Sequence, residues 1–248
     1  MDAVVLVGGL GTRLRSLVSD VPKPMALING VPFLDILLTR LLQQPAVERV
    51  VLAVGYKREA VQAYFGAQKL GRPIIYAVET EPLGTGGGIL NAVSHIQSGD
   101  ISSEVLVLNG DTLFDVDVAA MLKQHRQQQA DITLALKPMT NFERYGTVEL
   151  DGARIVGFQE KQYRASGCIN GGVYLIDKRL FEKVAFATLP RKFSFETDML
   201  ERYCRQLRIY GFSSEGYFID IGIPADYQRA QKELAGVRAS VKVSVKAS

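Results

Sequence analysis

The segment Ala3-Val4-Val5-Leu6-Val7 and the loop after it, Gly8-Gly9-Leu10-Gly11-Thr12-Arg13-Leu14, carry the strongest local pattern in the chain. The apolar run is short and continuous, which predicts a buried β-strand. The glycines stop that strand, allow a tight turn and leave backbone N–H groups uncovered. The segment therefore predicts a strand that ends in a cradle for phosphate oxygens.

Two common phosphate-binding motifs do not fit the spacing of this loop. A P-loop requires Lys followed by Ser or Thr directly after the last glycine, but Thr12-Arg13 follows Gly11 here. A dinucleotide fingerprint requires a third glycine where Leu14 stands. Because a purely structural turn has no need of a fixed cation, Arg13 favours anion binding. A nucleotide-dependent dehydrogenase is excluded on the same spacing.

The first 140 residues alternate strand and helix patterns. Continuous apolar runs predict strands at Ala3–Val7, Arg49–Val54, Ile74–Val78, Glu104–Leu108 and Ile132–Lys137. Helical spacing predicts helices at Pro32–Gln43, Lys57–Phe65, Thr85–Ile96, with Thr85 as its N-cap, and Val116–Gln127. This alternation predicts a three-layer α/β/α, Rossmann-like fold with a mixed, mostly parallel central sheet.

The pattern changes to mainly strands after about residue 140. We expect strands at Gly146–Leu150, Arg154–Gln159, Ile169–Ile176, Arg208–Phe212 and Tyr217–Ile219, and helices at Phe195–Tyr203 and Pro224–Leu234. We interpret residues 1–235 as one domain, with a nucleotide-binding portion over about 1–140 and a sugar-binding portion over about 141–235. Residues 236–248 are expected to form a flexible tail.

Composition narrows the function classes. The chain has 248 residues, 47% of them hydrophobic, a net charge of +3 and two cysteines. No apolar run approaches the ~20 residues of a membrane helix, and no signal peptide is expected. Without a Lys/Arg block, nucleic-acid binding is not expected. Two thiols fit a reduced, cytoplasmic setting, and a homo-oligomer is left open.

The segment Val21-Pro22-Lys23-Pro24-Met25 places a lysine near the glycine-rich loop. Two flanking prolines are expected to hold Lys23 in extended backbone and to prevent a helix around it. A lysine fixed beside a phosphate cradle needs little ordering when an anion binds.

Two aspartates each follow an apolar strand. Asp111 lies in Asn109-Gly110-Asp111, and Asp220 follows Tyr217–Ile219. Ligands of open parallel sheets bind beyond the carboxyl ends of the strands, and Mg²⁺ takes one or two carboxylates together with phosphate oxygens. A pair of this kind favours a metal site over two separate turn residues.

The glycine-rich loop and Pro22-Lys23-Pro24 resemble the signature of the sugar-1-phosphate nucleotidyltransferases, and the resemblance extends to about residue 235. It implies transfer of a nucleotidyl group to a sugar 1-phosphate with Mg²⁺ held by Asp111 and Asp220. It also implies that Arg13 and Lys23 are the catalytic cations. The nucleotide-binding positions that it implies are Gly8, Gly9, Gly11, Thr12, Arg13, Lys23, Glu79, Gly84, Thr85, Asn109 and Asp111.

The matching loop of that family reads the nucleobase, and Glu79 matches its base-contacting side chain. A carboxylate only accepts hydrogen bonds, which fits the adjacent N1–H and N2–H donors of guanine and favours GTP. For the sugar phosphate, the resemblance implies Tyr145, Gly146, Glu160, Lys161 and Asn170. Without the resemblance, Glu160-Lys161 is a surface ion pair.

Four further segments are similar to those of the D-glycero-α-D-manno-heptose 1-phosphate guanylyltransferases within this family. They are 141–147, 170–174, 192–196 and 217–226. The alternatives are a mannose 1-phosphate guanylyltransferase and a uridylyltransferase acting on an amino-sugar phosphate. A non-catalytic nucleotide-sugar sensor is the alternative from another class, and it predicts the loss of a cation or an aspartate that this chain retains.

Overall fold

The strands and helices follow the predicted order. The computed structural model describes residues 1–9, 21–96, 102–182 and 189–236. Its strands are β1 (Asp2–Leu6), β2 (Leu27–Ile28), β3 (Val31–Pro32), β4 (Arg49–Val54), β5 (Gln68–Lys69), β6 (Arg72–Val78), β7 (Glu104–Asn109), β8 (Thr112–Phe114), β9 (Ile132–Phe142), β10 (Thr147–Asp151), β11 (Arg154–Gln159), β12 (Arg164–Asp177), β13 (Ile209–Ser213) and β14 (Phe218–Asp220). Its helices are α1 (Phe33–Leu42), α2 (Arg58–Phe65), α3 (Gly84–Val93), α4 (Val118–Gln127) and α5 (Pro224–Glu233), with a π-helical turn at Phe195–Glu201 and 3-10 turns at Lys23–Met25 and Lys178–Glu182.

One large mixed sheet runs through the molecule in the order β10-β11-β13-β9-β12-β7-β1-β4-β6-β5. Strands β7, β1, β4 and β6 form a continuous parallel run. Strand β12 joins this run to the C-terminal strands by pairing antiparallel with both β7 and β9. The predicted α/β class is confirmed, with a mixed sheet whose parallel core is formed by β7, β1, β4 and β6.

Both faces of the sheet are covered, because successive strand residues point to opposite sides. In β1, Ala3 and Val5 join one buried cluster, while Val4 joins the other. Helices α1, α2, α4 and α5 contribute residues to the first cluster. Helix α3 and the π-helical turn contribute to the second. The alternation therefore produces the expected three layers.

The carboxyl ends of the parallel strands meet along one edge of the sheet. Val7 and Gly8 both donate their amides to Ala53 O at 2.9 Å, and Glu79 donates its amide to Val54 O at 2.7 Å. Gly110, just beyond β7, donates to Leu6 O at 2.9 Å. These bonds draw the ends of β1, β4, β6 and β7 together, and the candidate site lies on this edge.

Three local predictions are wrong. Thr85 does not cap α3, because the helix begins at Gly84 and the cap residue is Leu83. Lys23 does not lie in extended backbone, since Lys23–Met25 forms a 3-10 turn; only Pro22 is extended, and proline is tolerated in the first turn of a helix. The amide of Gly8 is not uncovered, because it bonds within the sheet.

Strands β9 and β12 are longer than predicted. They pair with one another as far as Phe142 and Arg164, past the predicted end of β9 at Lys137 and the predicted start of β12 at Ile169. Polar residues such as Thr140 and Asn141 interrupt the apolar pattern there, so the sequence shows a strand end where the backbone continues. Within the described ranges, no helix has the length and apolar character needed to cross a bilayer. Residues 237–248 of the predicted tail lie outside the described residues.

Candidate active site

A cleft of about 440 Å³ opens at the ends of β1, β4 and β6. Gly9, Gly55 and Glu79 line it, together with the segments 56–59 and 80–82. Gly8 faces the Glu79 carboxylate so closely that a Cβ on Gly8 would lie 3.3 Å from Oε1. The missing side chain of Gly8 therefore leaves space for the Glu79 carboxylate. The Gly8 amide is not available to a ligand, because it bonds to Ala53 O.

Glu79 is the predicted base-reading residue, and its carboxylate sits among three glycines. A Cβ added at Gly55 or Gly88 would also meet this side chain. The amide of Leu83 donates to Oε2 at 3.3 Å, and burial raises the pKa of Glu79. A half-buried carboxylate with spare acceptor capacity at the wall of a cleft suits a ligand that presents hydrogen-bond donors.

Lys23 lies beside Asp111 and forms an ion pair with its Oδ2. The 3-10 turn buries Pro24 and Met25 in the core and leaves the lysine side chain in reach of Asp111. Its side chain is 19% exposed, so the cation is largely held by protein. The ion pair brings the predicted catalytic cation next to Asp111, a predicted metal ligand. The backbone that positions Lys23 is a 3-10 turn and not the extended segment that the sequence predicted.

Asp220 is brought to Asp111 by a small ribbon outside the main sheet. Strand β14 pairs antiparallel with β8, which places Asp220 in register with Thr112. The amide of Ile221 donates to the backbone oxygen of Asp111 at 3.0 Å, and Gly222 donates its amide to Asp220 Oδ1 at 2.6 Å.

The two carboxylates interact electrostatically. Burial raises the pKa of Asp220, and the charge of Asp111 raises it further, while Lys23 lowers it. Two carboxylates that repel one another beside a cleft fit a divalent cation, and Mg²⁺ commonly takes one or two protein carboxylates and completes its shell with phosphate oxygens and water. The residues present therefore fit the implied metal. No cluster of three or more His, Cys, Asp or Glu ligands occurs in the described residues.

The five predicted sugar-phosphate residues line one cavity of about 390 Å³. These residues are Tyr145, Gly146, Glu160, Lys161 and Asn170. This cavity, named the sugar cavity after the ligand that the resemblance predicts for it, lies between the start of β10, the end of β11, strand β12 and the π-helical turn. Glu160 and Lys161 are both exposed, and within the described ranges they form no ion pair with each other, so both charges are available to a ligand.

Tyr145 links this cavity to the aspartate pair. Its ring packs edge-on against Phe218, with centroids 6.0 Å apart, and Arg144 lies 5.4 Å above it. Burial, and then the charge of Asp220, raise the pKa of Tyr145 to about 12. The hydroxyl therefore stays protonated and can donate a hydrogen bond near the carboxylates.

A buried network connects Asn109 with the sugar cavity. Asn170 Nδ2 donates to the Tyr174 hydroxyl at 3.0 Å, and that hydroxyl donates to Glu196 Oε1 at 3.3 Å. Burial raises the pKa of the Tyr174 hydroxyl, and the Asn109 side chain acts against this larger effect to lower it. Asn109 Oδ1 is buried and accepts no hydrogen bond from the described residues.

Three residues that the sequence did not indicate also line the sugar cavity: Glu196, Thr197 and Glu201. The segment 192–196 carried part of the family resemblance, but no role was assigned to it. The predicted α-helix concealed the pair of glutamates, because positions five apart lie on different sides of an α-helix.

Gly84 and Thr85, predicted to bind nucleotide, contact the π-turn side of the sugar cavity. A Cβ on Gly84 would clash with the backbone oxygen of Phe193. Gly86 donates its amide to the same oxygen at 3.0 Å, and Thr85 donates its hydroxyl to Glu196 Oε2 at 2.6 Å. Gly11, Thr12 and Arg13 lie outside the described residues.

Comparison with known proteins gives one consistent family. The family model described as Nucleotidyl transferase matches residues 2–236. The chain is 50% identical to D-glycero-alpha-D-manno-heptose 1-phosphate guanylyltransferase of Aneurinibacillus thermoaerophilus, over 94% of this chain and 98% of the relative. It is 44% identical to the protein of the same name from Campylobacter jejuni, over 92% of this chain and 97% of the relative.

A solved structure agrees with these relatives. The crystal structure of HddC from Yersinia pseudotuberculosis is 34% identical in sequence, with a TM-score of 0.82 over 94% of this chain and 99% of its own. The structure of HddC complexed with GMP-PN has a TM-score of 0.81 over the same shares of both chains.

Proposed function

The chain belongs to the nucleotidyl transferase family, and from this premise we propose that it transfers GMP from GTP to D-glycero-α-D-manno-heptose 1-phosphate. The products are GDP-heptose and pyrophosphate. The observation that carries this proposal is the 50% identity, over nearly the full length of both chains, to a heptose 1-phosphate guanylyltransferase. The paired clefts at one edge of the sheet support it independently.

The nucleotide and the sugar phosphate occupy the two clefts in this proposal. Residues of the first 140 positions hold GTP, with guanine against Glu79 and the phosphates along the loop that follows β1. Residues of positions 141–235 hold the sugar, with Tyr145, Gly146, Glu160, Lys161 and Asn170 around it. The aspartate pair lies where these two portions meet, and the reacting phosphates belong there.

In the reaction, an oxygen of the sugar phosphate attacks the α-phosphorus of GTP. The bond from the α-phosphorus to the bridging oxygen breaks, and pyrophosphate leaves in line with the attack. Because both reactants are anions, the barrier is largely electrostatic. Positioning and charge neutralisation by fixed groups are therefore the main contributions of the protein.

Lys23 supplies a fixed positive charge. It neutralises charge that develops on the α-phosphate and the attacking oxygen, and its Nζ exchanges part of its ion pair with Asp111 for phosphate oxygens. Arg13 matches the family cation for the departing pyrophosphate, which a guanidinium can hold with two parallel hydrogen bonds.

Asp111 and Asp220 are the residues that would hold Mg²⁺. A divalent ion held there would supply positive charge to neutralise the α-phosphate. The Tyr145 hydroxyl, kept protonated by its surroundings, donates to an oxygen of the sugar phosphate. Lys161 balances the charge of that phosphate, and Glu160 accepts hydrogen bonds from sugar hydroxyls.

We place this reaction in the cytoplasm, where GTP is made and used, and we assign the product to the synthesis of bacterial surface polysaccharide.

Pyrophosphate release tests the proposed substrates. Purified protein with Mg²⁺ should release pyrophosphate fastest with GTP and heptose 1-phosphate, when GTP and UTP are each paired with heptose, mannose and N-acetylglucosamine 1-phosphates. Faster release with mannose 1-phosphate or with UTP would support one of the two alternative transferases. No release with any pair would leave a non-catalytic nucleotide-sugar sensor as the better account.

A further inference from the structure

The π-helical turn Phe195–Glu201 places two glutamates on one side of the sugar cavity. An α-helix turns about 100° per residue, so residues five apart diverge. A π-helix closes its hydrogen bonds from i to i+5, which brings residues five apart to neighbouring positions on one face. Glu196 and Glu201 are five apart, and both line the cavity.

Packing fixes this turn. Phe195, Met199 and Leu200 are fully buried in the cluster beneath the sheet. The Ser194 hydroxyl oxygen accepts the amide of Thr197 at 3.2 Å, and the Ser194 amide donates to Asp198 Oδ2 at 2.7 Å. Short π-helical segments occur often at functional sites, and here no residue of the turn has a positive φ.

Glu196 is an anchored acceptor. Its Oε2 receives the hydroxyls of Thr85 at 2.6 Å and Ser194 at 3.1 Å, and its Oε1 receives the Tyr174 hydroxyl at 3.3 Å. No cation of the described residues pairs with it. Its carboxylate therefore has acceptor capacity left for a donor in the cavity.

Glu201 lies at the open rim of the same cavity. It is exposed, and its side chain receives no hydrogen bond from the described residues. Burial, and then the charges of Glu160 and Glu196, raise its pKa. A carboxylate kept near two others without a cation is well suited to accept hydroxyl groups.

The packing around the cavity gives the sugar a direction. Tyr145 packs edge-on against Phe218 of β14, the strand that ends in Asp220, so the aspartate pair and the reacting phosphate lie at the Tyr145 end. Glu201 is exposed and lines the cavity from the π-helical turn. In the proposed orientation, the end of the sugar farthest from the phosphate points toward Glu201.

We propose that the π-helical turn sets sugar selectivity: Glu196 accepts a ring hydroxyl that hexoses and heptoses share, and Glu201 accepts a hydroxyl on the exocyclic side chain that only a heptose extends to the rim. This inference rests on the proposed function, because it assumes that the cavity holds the sugar 1-phosphate. A heptose has one hydroxyl-bearing carbon more than mannose, so loss of the Glu201 contact affects one substrate and not the other.

Steady-state kinetics with GTP and either heptose or mannose 1-phosphate test the inference. Glu201→Ala should raise the KM for heptose 1-phosphate about 10- to 100-fold with little change in kcat, which is the effect of losing a hydrogen bond to a charged acceptor. The values for mannose 1-phosphate should change less than about twofold. Glu201→Gln, which keeps an acceptor oxygen, should recover part of the loss.

Glu196→Gln should weaken both sugars alike, with thermal unfolding used to verify that the variant is folded. Glu215→Ala removes another exposed carboxylate, one that does not line the cavity, and should match wild type. Equal effects of Glu201→Ala on both sugars, or no effect on either, would overturn the selectivity inference while the proposed function stands. Wild-type protein that uses neither sugar would instead overturn the proposed function.

Discussion

Asp220 is held beside Asp111 by the backbone of a two-stranded ribbon, and the charge of Asp111 raises the pKa of Asp220. The two residues are more than a hundred positions apart in the chain. Asp111 follows β7 of the parallel run, and Asp220 ends β14 near the C-terminus. Their proximity costs stability that the Lys23 cation offsets only in part, since the pKa of Asp220 stays raised beside it. Stability and catalysis therefore make opposite demands on this pair.

Asp220→Asn tests that opposition. The folded pKa of Asp220 is raised, so stability falls as pH rises from the unfolded pKa of 3.8 through the folded pKa, and the charged form opposes folding above that window. The variant should unfold at a higher temperature than wild type in the absence of divalent ions, by about 2–4 °C for each kcal/mol gained. Asp151→Asn, on an exposed hairpin, is the control and should show no shift.

Divalent ions should reverse that order. Mg²⁺ binds the native state of wild type and raises its unfolding temperature, because a ligand of the folded form stabilises it by mass action. The same titration should move Asp220→Asn little. Equal Mg²⁺ shifts in both proteins would show that Asp220 is not a ligand.

Lys23→Ala should lower turnover at least about 10²-fold and leave the protein folded, because a fixed charge that stabilises the transition state is removed. Lys137→Ala is the matched control, since Lys137 also faces an acidic partner, Glu215, but lies away from the cleft. Single-turnover assays and circular dichroism on both variants give the measurement. Near-normal turnover by Lys23→Ala would contradict the assignment.

Glu79→Gln should lower kcat/KM for GTP at least about tenfold, because one acceptor of the adjacent guanine donors becomes an amide. The low activity with UTP should not fall, so the preference for GTP narrows. Glu149→Gln removes a carboxylate from strand β10 and should leave the preference unchanged. A uniform loss with both nucleotides would indicate that Glu79 acts on the fold of the cleft and not on the base.

Gly84→Ala should push the start of α3 away from the backbone of Phe193, because the added Cβ would clash with the Phe193 backbone oxygen. Gly84 and Gly71 have nearly the same backbone angle, with φ of 73° and 74°, but only a Cβ at Gly84 clashes. Gly71→Ala should cost about 1–2 kcal/mol for its left-handed backbone. Gly84→Ala should cost at least about 1 kcal/mol more and should raise KM for both substrates. Equal unfolding free energies for the two variants would contradict the clash.

Arg126→Ala should expose a pH-dependent contribution to stability on the opposite edge of the sheet. Arg126 donates to Glu104 at 2.8 and 3.0 Å and lowers the pKa of that buried carboxyl to about 2. The stability contribution is therefore complete above the unfolded pKa, near 4.5, and is lost as pH falls toward 2. Urea unfolding should show a loss of about 1–3 kcal/mol at pH 7 that shrinks below pH 4.5. If Arg126→Ala lost the same unfolding free energy at pH 7 and at pH 3, the ionised Glu104 carboxylate would not be the source of the stabilisation.

The sequence predicted most elements of this fold because their apolar patterns are strong. Strands β4 and β11 match the predictions residue for residue, since each is bounded by a clear change of composition. The ribbon of β8 and β14 was harder to predict. Strand β8 has three residues, and only its pairing with β14, far along the chain, makes it a strand.

The structure brings Lys23, Asp111 and Asp220 together, which the positions of the aspartates after apolar strands and the family resemblance predicted, and their roles stay predictions. The placement of Glu196 and Glu201 in one cavity was not predictable, because it depends on a π-helical geometry that tertiary packing imposes on a helical pattern. The pairing of Thr85 with Glu196 depends in the same way on contacts between distant segments. The local pattern at Thr85 favoured a side chain that caps α3. In the structure the Thr85 hydroxyl instead donates to Glu196, and Leu83 is the cap residue.

The fate of the α-phosphate of GTP tests the central claim most directly. With GTP labelled at the α-phosphorus, together with heptose 1-phosphate and Mg²⁺, the label should appear in GDP-heptose and none should appear in pyrophosphate. With GTP labelled at the γ-phosphorus, all released label should be in pyrophosphate. Label that stays in GTP, or a γ-phosphate that is transferred to the sugar, would contradict nucleotidyl transfer at this site.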